Sequence, residues 1–397
     1  MVPCAMFALC FAVLATAAEI PAGTVLTLRL KSKVSSRDSK PKDAVEAVVI
    51  APVLAGDRIV IEQGVLVSGA VKSVKKSAGP DDKAALEIEF TRMYDAGGAS
   101  VKIESRVLDV DNARESVDDK GVITGILASQ TVSARMDQGL GRLGERMSGF
   151  AKLLGGVKSL VIREADPEIV YDPGTELHIA LTKAIRWEGK SEGPKVESFP
   201  DEAELHRLVN AQPFRTVAQS PPKPSDITNL MFIATAEELK AAFAAAGWVE
   251  AAALSGLSKF ETFRSIAESR GYKEAPMSIL LLDGQKPDFD FEKMLNTFAM
   301  RHHLRVWKRP VTYQGKPVWV SAATHDIGIE LSPEQRNFIH KIDGRIDIER
   351  AKVVSDLVFT GKVKALALVD RPAAPRESSN ATGDKILTDG AMAALLF

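Results

Sequence analysis

The sequence predicts a β-rich N-terminal barrel or sandwich followed by a C-terminal α+β domain. Between Ile20 and about Asp111, short stretches alternate apolar and polar residues and are separated by turn formers. Beyond the region around Pro200, strand and helix patterns follow one another without strict alternation, as in α+β domains. A chain of 397 residues, 45% hydrophobic and 26% charged, is long enough to fill two cores.

The first eighteen residues, MVPCAMFALCFAVLATAA, form an apolar run ending in small residues, with an A-x-A type cleavage site at Ala15-Thr16-Ala17. The run falls short of the ~20 residues that a spanning helix needs. A cleaved signal peptide over 1–18 is expected, with export to the periplasm or cell envelope. No Lys or Arg opens the run, a departure from a standard export signal, and retention as an uncleaved anchor is the alternative. Cys4 and Cys10 are the two cysteines of the chain, so the body offers neither a disulfide nor a thiolate. A net charge of −1 gives no basis for nucleic-acid binding, which favours a basic excess.

In the first domain, Val25–Val34, Leu86–Phe90 and Val101–Val107 alternate as half-buried strands do. Val45–Leu54 and Arg58–Val74 are more continuously apolar, the pattern of strands buried on both faces. Ile169–Ile185 follows an Asp-Pro-Gly corner and reads as the strand that closes the barrel, with His178 an ordinary strand histidine. Between them, 121–156 is rich in glycine, yet Leu140, Leu143, Met147, Phe150 and Leu154 recur at helical spacing. Three readings of this helical insertion stay open: packing against the body, contact with a partner, or peripheral membrane contact. Its uncharged part is too short to span a bilayer.

The strings IPAGTVLTLRLKSKVSS, RIVIEQGVLVSGAVKSV and LEIEFTRMYDAGGASVKI resemble the β-barrel domain of TrbI-type secretion-channel proteins. In that family a second Pro-Gly corner precedes a strand ending in Gly; Gly64 and Gly69 match, although Glu62-Gln63 stands where proline is expected. The resemblance implies a small barrel over about 20–186, with the insertion placed where that family meets the outer membrane. It also raises the reading of a secretion-channel subunit.

Residues 187–224 read as an interdomain linker, 225–369 as the second domain, and 370–397 as a flexible Pro/Ser/Asn-rich tail ending in AMAALLF. Within the domain, strand Asn229–Ala234 leads to Thr235, an N-cap with Glu238 three residues on as a capping box. Helix Ala236–Ala246 then ends at Gly247. A last helix, Ile348–Thr360, takes Asp347 as its cap and Ala351, Val354, Leu357 and Val358 as its apolar face, leaving Glu349 and Arg350 to solvent or a ligand.

The candidate site is the stretch RHHLRVWKRPVTYQGKPVWVSAATHDIGIELSPEQRNFIHKIDGRIDIER, 301–350, which holds four of the six histidines. A hairpin turning at Gln314-Gly315 places His303 opposite Asp326 and Leu304 opposite His325; a slip of one residue sets His303 against His325. Imidazoles and carboxylates so gathered suit a divalent metal, with His303, His325 and His340 as ligands. His302, Arg305, Trp307, Asp326, Asp343, Asp347 and Arg350 are the ligand-binding candidates. The plainer alternative is that these groups hydrogen-bond loops around a small sheet. No HExxH or CxxC motif accompanies them.

RHHLRVW, VWVSAATHDIGI and FIHKIDGRIDIER, together with DITNLMFIATAEELKAAFAAAGW upstream, resemble the C-terminal domain of LssY-type bacterial proteins over about 200–364. That resemblance implies envelope association and no established chemistry. Two functional readings follow. One is a non-catalytic binding or assembly module of the envelope, whose partners would be an envelope protein or ligand or a second copy of the chain. The other is an exported metal-dependent hydrolase, with Asp326 or Asp343 as base or ligand.

Overall fold

The computed structural model describes residues 18–55, 58–130, 166–189, 193–219, 221–251, 279–293, 300–332 and 337–397. The expected signal peptide, apart from Ala18, and most of the glycine-rich insertion lie outside the described residues.

The first domain is one antiparallel sheet curled on itself. Its main strands are β1 (Val25–Leu30), β2 (Ala44–Val49), β3 (Leu66–Lys75), β4 (Ala85–Tyr94), β5 (Ser105–Val110), β6 (Val122–Thr124) and β7 (Glu176–Leu181). Their order is β5-β7-β1-β2-β3-β4-β6. The sheet returns on itself where the Ser105 hydroxyl donates to the Phe90 carbonyl at 2.8 Å and the Ile103 amide donates to Thr91 at 2.9 Å. The result is a nearly closed barrel. Period-two alternation directs Leu26, Leu28 and Leu30, Val45, Ala47 and Val49, Leu86, Ile88 and Phe90, and Leu177 and Ile179 into one interior.

A barrel has a single dry side, which corrects the expectation of two-sided burial for Val45–Leu54 and Arg58–Val74. β2 alternates exposed and buried, and β3 exposes Leu66 while burying Val67 and Val71. Part of the apolar run between them is a separate hairpin, Val53–Ala55 with Arg58–Ile61. Gly69 marks the point where β3 bends across β4. A Cβ there would lie 2.1 Å from the Glu89 carbonyl oxygen, so no larger residue fits.

The second domain contains α1 (Glu202–Asn210), β8 (Leu230–Ile233), α2 (Ala236–Ala245), β9 (Trp248–Glu250), β10 (Phe289–Lys293), β11 (Met300–Tyr313), β12 (Lys316–Ser332), β13 (Asn337–Ile342), α3 (Ile346–Phe359), β14 (Ala365–Val369) and β15 (Met392–Leu396). The sheet order is β9-β10-β11-β12-β8-β15-β14, and β13 pairs with β12. Helices α2 and α3 cover one face, packing Leu239, Phe243, Val353 and Leu357 on Phe232, Leu304, Ala323 and Leu395. On the other face, Leu205 and Val209 of α1 meet Met231, Trp307, Val320 and Ala394. The capping box of α2 forms as its sequence suggests: the Thr235 hydroxyl accepts from the Glu238 amide at 3.1 Å, and the Glu238 carboxylate accepts from the Thr235 amide at 2.9 Å.

Three expectations are corrected. Residues 187–224 are more than a linker, because α1 lies there, capped by the Asp201 side chain, and Arg215–Gln219 pairs with Pro222–Ile227. The tail 370–397 is not loose. AMAALLF forms β15, parallel to β8 and antiparallel to β14, in the middle of the sheet. Met392 and Ala394 enter one core while Ala393 and Leu395 enter the other, so an apolar run without alternation is what a strand covered on both faces requires. Finally, α3 begins at Ile346 after Arg345 with no side-chain cap. Asp347 lies inside its first turn, and Glu349 and Arg350 are buried rather than solvated.

The placement of β15 gives a first prediction. Ala394 is fully buried between β8 and β14. Ala394→Asp places an unpaired charge there and should cost about 3 kcal/mol or more of stability, read as a lower midpoint in chemical denaturation.

Candidate functional site

The site is set by the β11–β12 hairpin, whose turn residues Gln314 and Gly315 both take positive φ, 48° and 81°. Tyr313 pairs with Lys316 and Thr312 with Pro317, but Lys308 then pairs with Trp319. β11 thus carries two extra residues around Pro310, which has no amide to donate. The register beyond is His302 opposite His325, His303 opposite Thr324 and Arg301 opposite Asp326. This corrects the expected pairing of His303 with Asp326 and Leu304 with His325. A shift of two keeps every side chain on its own face.

The consequence is a division. His302 and His325 lie on the face covered by α3, whereas His303, Arg301, Arg305 and Asp326 lie on the other. His303 and His325, expected as ligands of one metal, therefore sit on opposite sides of the sheet. The Cα of His340 pairs with Ile329 in β13, and its side chain lies outside the described residues.

On the α3 face, the His302 ring is held at both nitrogens. Nδ1 is 2.7 Å from Glu349 Oε2, and Nε2 is 2.9 and 3.1 Å from the two oxygens of Asp111. The rings of His302 and His325 stack, with centroids 4.0 Å apart and planes inclined by 18°. His325 Nε2 is 2.9 Å from Asn112 Oδ1. Asp111 and Asn112 directly follow β5, and Asn112 takes a positive φ of 53°. That turn carries both side chains from the barrel onto the hairpin of the second domain. Burial opposes charge on His302, but the Asp111 and Glu349 carboxylates prevail and raise its pKa to about 10. Burial likewise opposes the charge on Asp111, and the His302 imidazolium overcomes it, so Asp111 stays ionised. Burial and the neighbouring charge on His302 lower His325.

Beside this pair lies a second charged group that also bridges the domains. Glu176 of β7 is 2.8 Å from Arg29 Nη2, 3.1 Å from Lys293 Nζ and 2.6 Å from Lys352 Nζ. Asp356 of α3 is 3.2 Å from Arg29, 2.7 Å from Lys293 and 2.8 Å from Lys352, and it accepts from the Trp248 indole at 2.9 Å. Glu176 is 4% exposed and Asp356 0%. Gln63 of the barrel adds a donor to the Ser355 carbonyl at 3.1 Å.

The opposite face carries Arg301, whose Nε and Nη2 donate to Asp326 at 3.1 and 2.9 Å, with His303 Nε2 3.0 Å from the same carboxylate. Arg305 pairs with Asp226 at 3.6 Å, and burial raises Asp290 nearby. The remaining candidates are dispersed. Trp307 is core, its indole donating to the Gln285 carbonyl at 3.1 Å. Asp343 accepts from the Arg345 amide at 2.9 Å, and its own amide donates to the His325 carbonyl. Arg350 binds Asp347, Asp389 and the Ala391 carbonyl at 2.7–2.9 Å, fixing the approach to β15.

Arg29, Asp111, Asn112, Glu176, Lys293 and Asp356 were not foreseen, because they lie in five separate parts of the chain. One cue was present. Glu349, Lys352 and Asp356 recur at i, i+3 and i+7, so they form one charged stripe along α3.

Fold and site together define a chain of two domains, a small barrel and an α+β domain, joined through buried charges. The second domain is LssY-like: the family model described as the LssY C-terminus matches residues 210–392. Among solved structures, ComB10 of the Com type IV secretion system of Helicobacter pylori is similar over 44% of this chain and 93% of that one, at 14% identity and a TM-score of 0.24. No curated protein matches. Among the described residues, no helix is long and apolar enough to cross a membrane.

The Glu176 contacts yield a pH prediction. Burial opposes its charge, yet Lys352, Lys293 and Arg29 hold its pKa well below the ordinary 4.5. A depressed folded pKa means that this contribution is complete above about pH 4.5 and is lost as pH falls through the folded value. Glu176→Gln should cost about 3–5 kcal/mol at neutral pH by leaving buried cations uncompensated. It should also flatten the decline in stability below about pH 4.5, measured as denaturant midpoints across the acid range.

Proposed function

We propose that this protein is an exported module of the bacterial cell envelope that binds or assembles rather than catalyses. The observation that carries this reading is the closed seam between barrel and LssY-like domain. Its buried charged groups Glu176, Asp356, Lys293 and Lys352 are occupied by one another and withdrawn from water. Groups so engaged hold two domains at a fixed angle, and a fixed angle suits a part that presents a surface to a partner. The leader-like run 1–18 supports export, and the LssY-like domain supports an envelope setting. The partner would be an envelope protein or ligand, or a second copy of the chain, with 121–156 as a peripheral membrane contact.

The rival hydrolase reading needs His303, His325 and His340 around one ion. It loses support where the hairpin register separates His303 from His325.

Expression of the full chain in a Gram-negative host tests the proposal. Osmotic fractionation, mass spectrometry of the N-terminus and crosslinking in intact cells are the readouts. The expected result is protein in the envelope fraction, lacking residues 1–18 and crosslinked into a defined assembly. Cytosolic protein with an intact N-terminus, or an exported monomer without any crosslinked species, overturns it.

A further inference from the structure

We propose that Asp111, His302 and His325, with Asn112 beside them, bind a divalent transition-metal ion at the junction of the two domains. One carboxylate oxygen and one ring nitrogen from each histidine lie within 4.8 Å of one another. The closest of these contacts, His302 Nε2 to the Asp111 oxygens, are 2.9 and 3.1 Å. Donors bound to one ion at ~2.0–2.2 Å lie about 3 Å apart, so this edge of the coordination shell already has its length. Asn112 Oδ1 stands 2.9 Å from His325 Nε2 and is placed to be a fourth donor.

An independent observation concerns the far side of His302. Its Nδ1 is held at 2.7 Å by Glu349 of α3. A carboxylate on the distal nitrogen of a ligating histidine fixes the ring and commits the other nitrogen to the ion. Here it turns Nε2 of His302 toward the Asp111–Asn112 turn. The set also comes from both domains, two residues after β5 and one each on β11 and β12. Asp111 and His325 are only partly buried, which leaves a path from solvent. The ion would take the place of the Nε2 proton of His302, releasing it to solvent, and of the hydrogen bonds from His302 to Asp111 and from His325 to Asn112.

Donor chemistry narrows the ion. Two imidazoles and a carboxylate favour zinc, and also cobalt, manganese or iron(II), over calcium or magnesium, which prefer all-oxygen shells. The ion would tie the turn after β5 to the hairpin of the other domain, so its effect would be on the joint between domains.

The test uses the untagged full chain, stripped with a chelator and reloaded with zinc or with cobalt. About one ion per chain is expected to survive dialysis in the wild type, with a higher melting temperature in the loaded form. Cobalt-loaded wild type should show visible d–d absorption of nitrogen–oxygen ligation. Asp111→Ala and His325→Ala should each lose the ion. His178→Ala should keep it, because that histidine pairs with Asp109 on the barrel, outside the set. Wild type that retains no ion and shows no cobalt bands overturns the proposal. So does retention unchanged in both ligand variants. If those variants fail to fold, the cobalt spectrum of the wild type decides alone.

Discussion

Charge buried between two domains can be tolerated only when each charge meets its opposite, and this condition governs how the barrel and the LssY-like domain are joined. Arg29, Lys293 and Lys352 pair with Glu176 and Asp356 at the seam, and His302 pairs with Asp111 and Glu349 beside them. Three cations against four carboxylates leave one negative charge, and the imidazolium of His302 balances it. The raised pKa of that ring follows from the two carboxylates that hold it, Asp111 and Glu349, whose pull overcomes the cost of burial. Such a network adds little net stability compared with an apolar interface, because removing the charges from water is costly. What it supplies is geometry. Any other docking angle would leave some of these groups buried without a partner.

Helix α3 is the element that makes this possible. It offers Val353 and Leu357 to the sheet core, and Glu349 and Asp356 are buried with them while Lys352 faces the barrel. The same helix therefore belongs to a core and to a joint. The irregularity near Pro310 has a comparable double role. It shifts the hairpin by two residues without exchanging faces, bringing His302 against His325 and keeping His303 and Asp326 beneath the opposite side.

Much of the architecture was legible in the sequence because local chemistry agreed with it. Thr235 and Glu238 read as a capping box and form one, and the alternation in Val25–Leu30 and Leu86–Phe90 points the expected residues into the barrel. The errors share a cause, which is that the sequence pattern reports burial but not who does the burying. The AMAALLF segment was read as a terminus because nothing local says that β8 and β14 wait on either side. Glu349 and Arg350 were assigned to solvent because charge on a helix usually goes there. Here, partners 39 residues away or more removed that need, as with Arg350 and Asp389. The hairpin histidines were found, but their grouping was not, since an irregularity in one strand and a turn from the other domain decide it. Asp111 lies 191 residues from His302, beyond the reach of any spacing rule.

The position of β15 bears on how the chain is made. Strand β8, built from residues 230–233, has β12 on one side and β15 on the other, and β14 pairs with β15. As the polypeptide leaves the ribosome, the centre of this sheet must remain open until residues 392–396 have been synthesised. The sheet of the LssY-like domain therefore cannot close around β8 before that late segment is made.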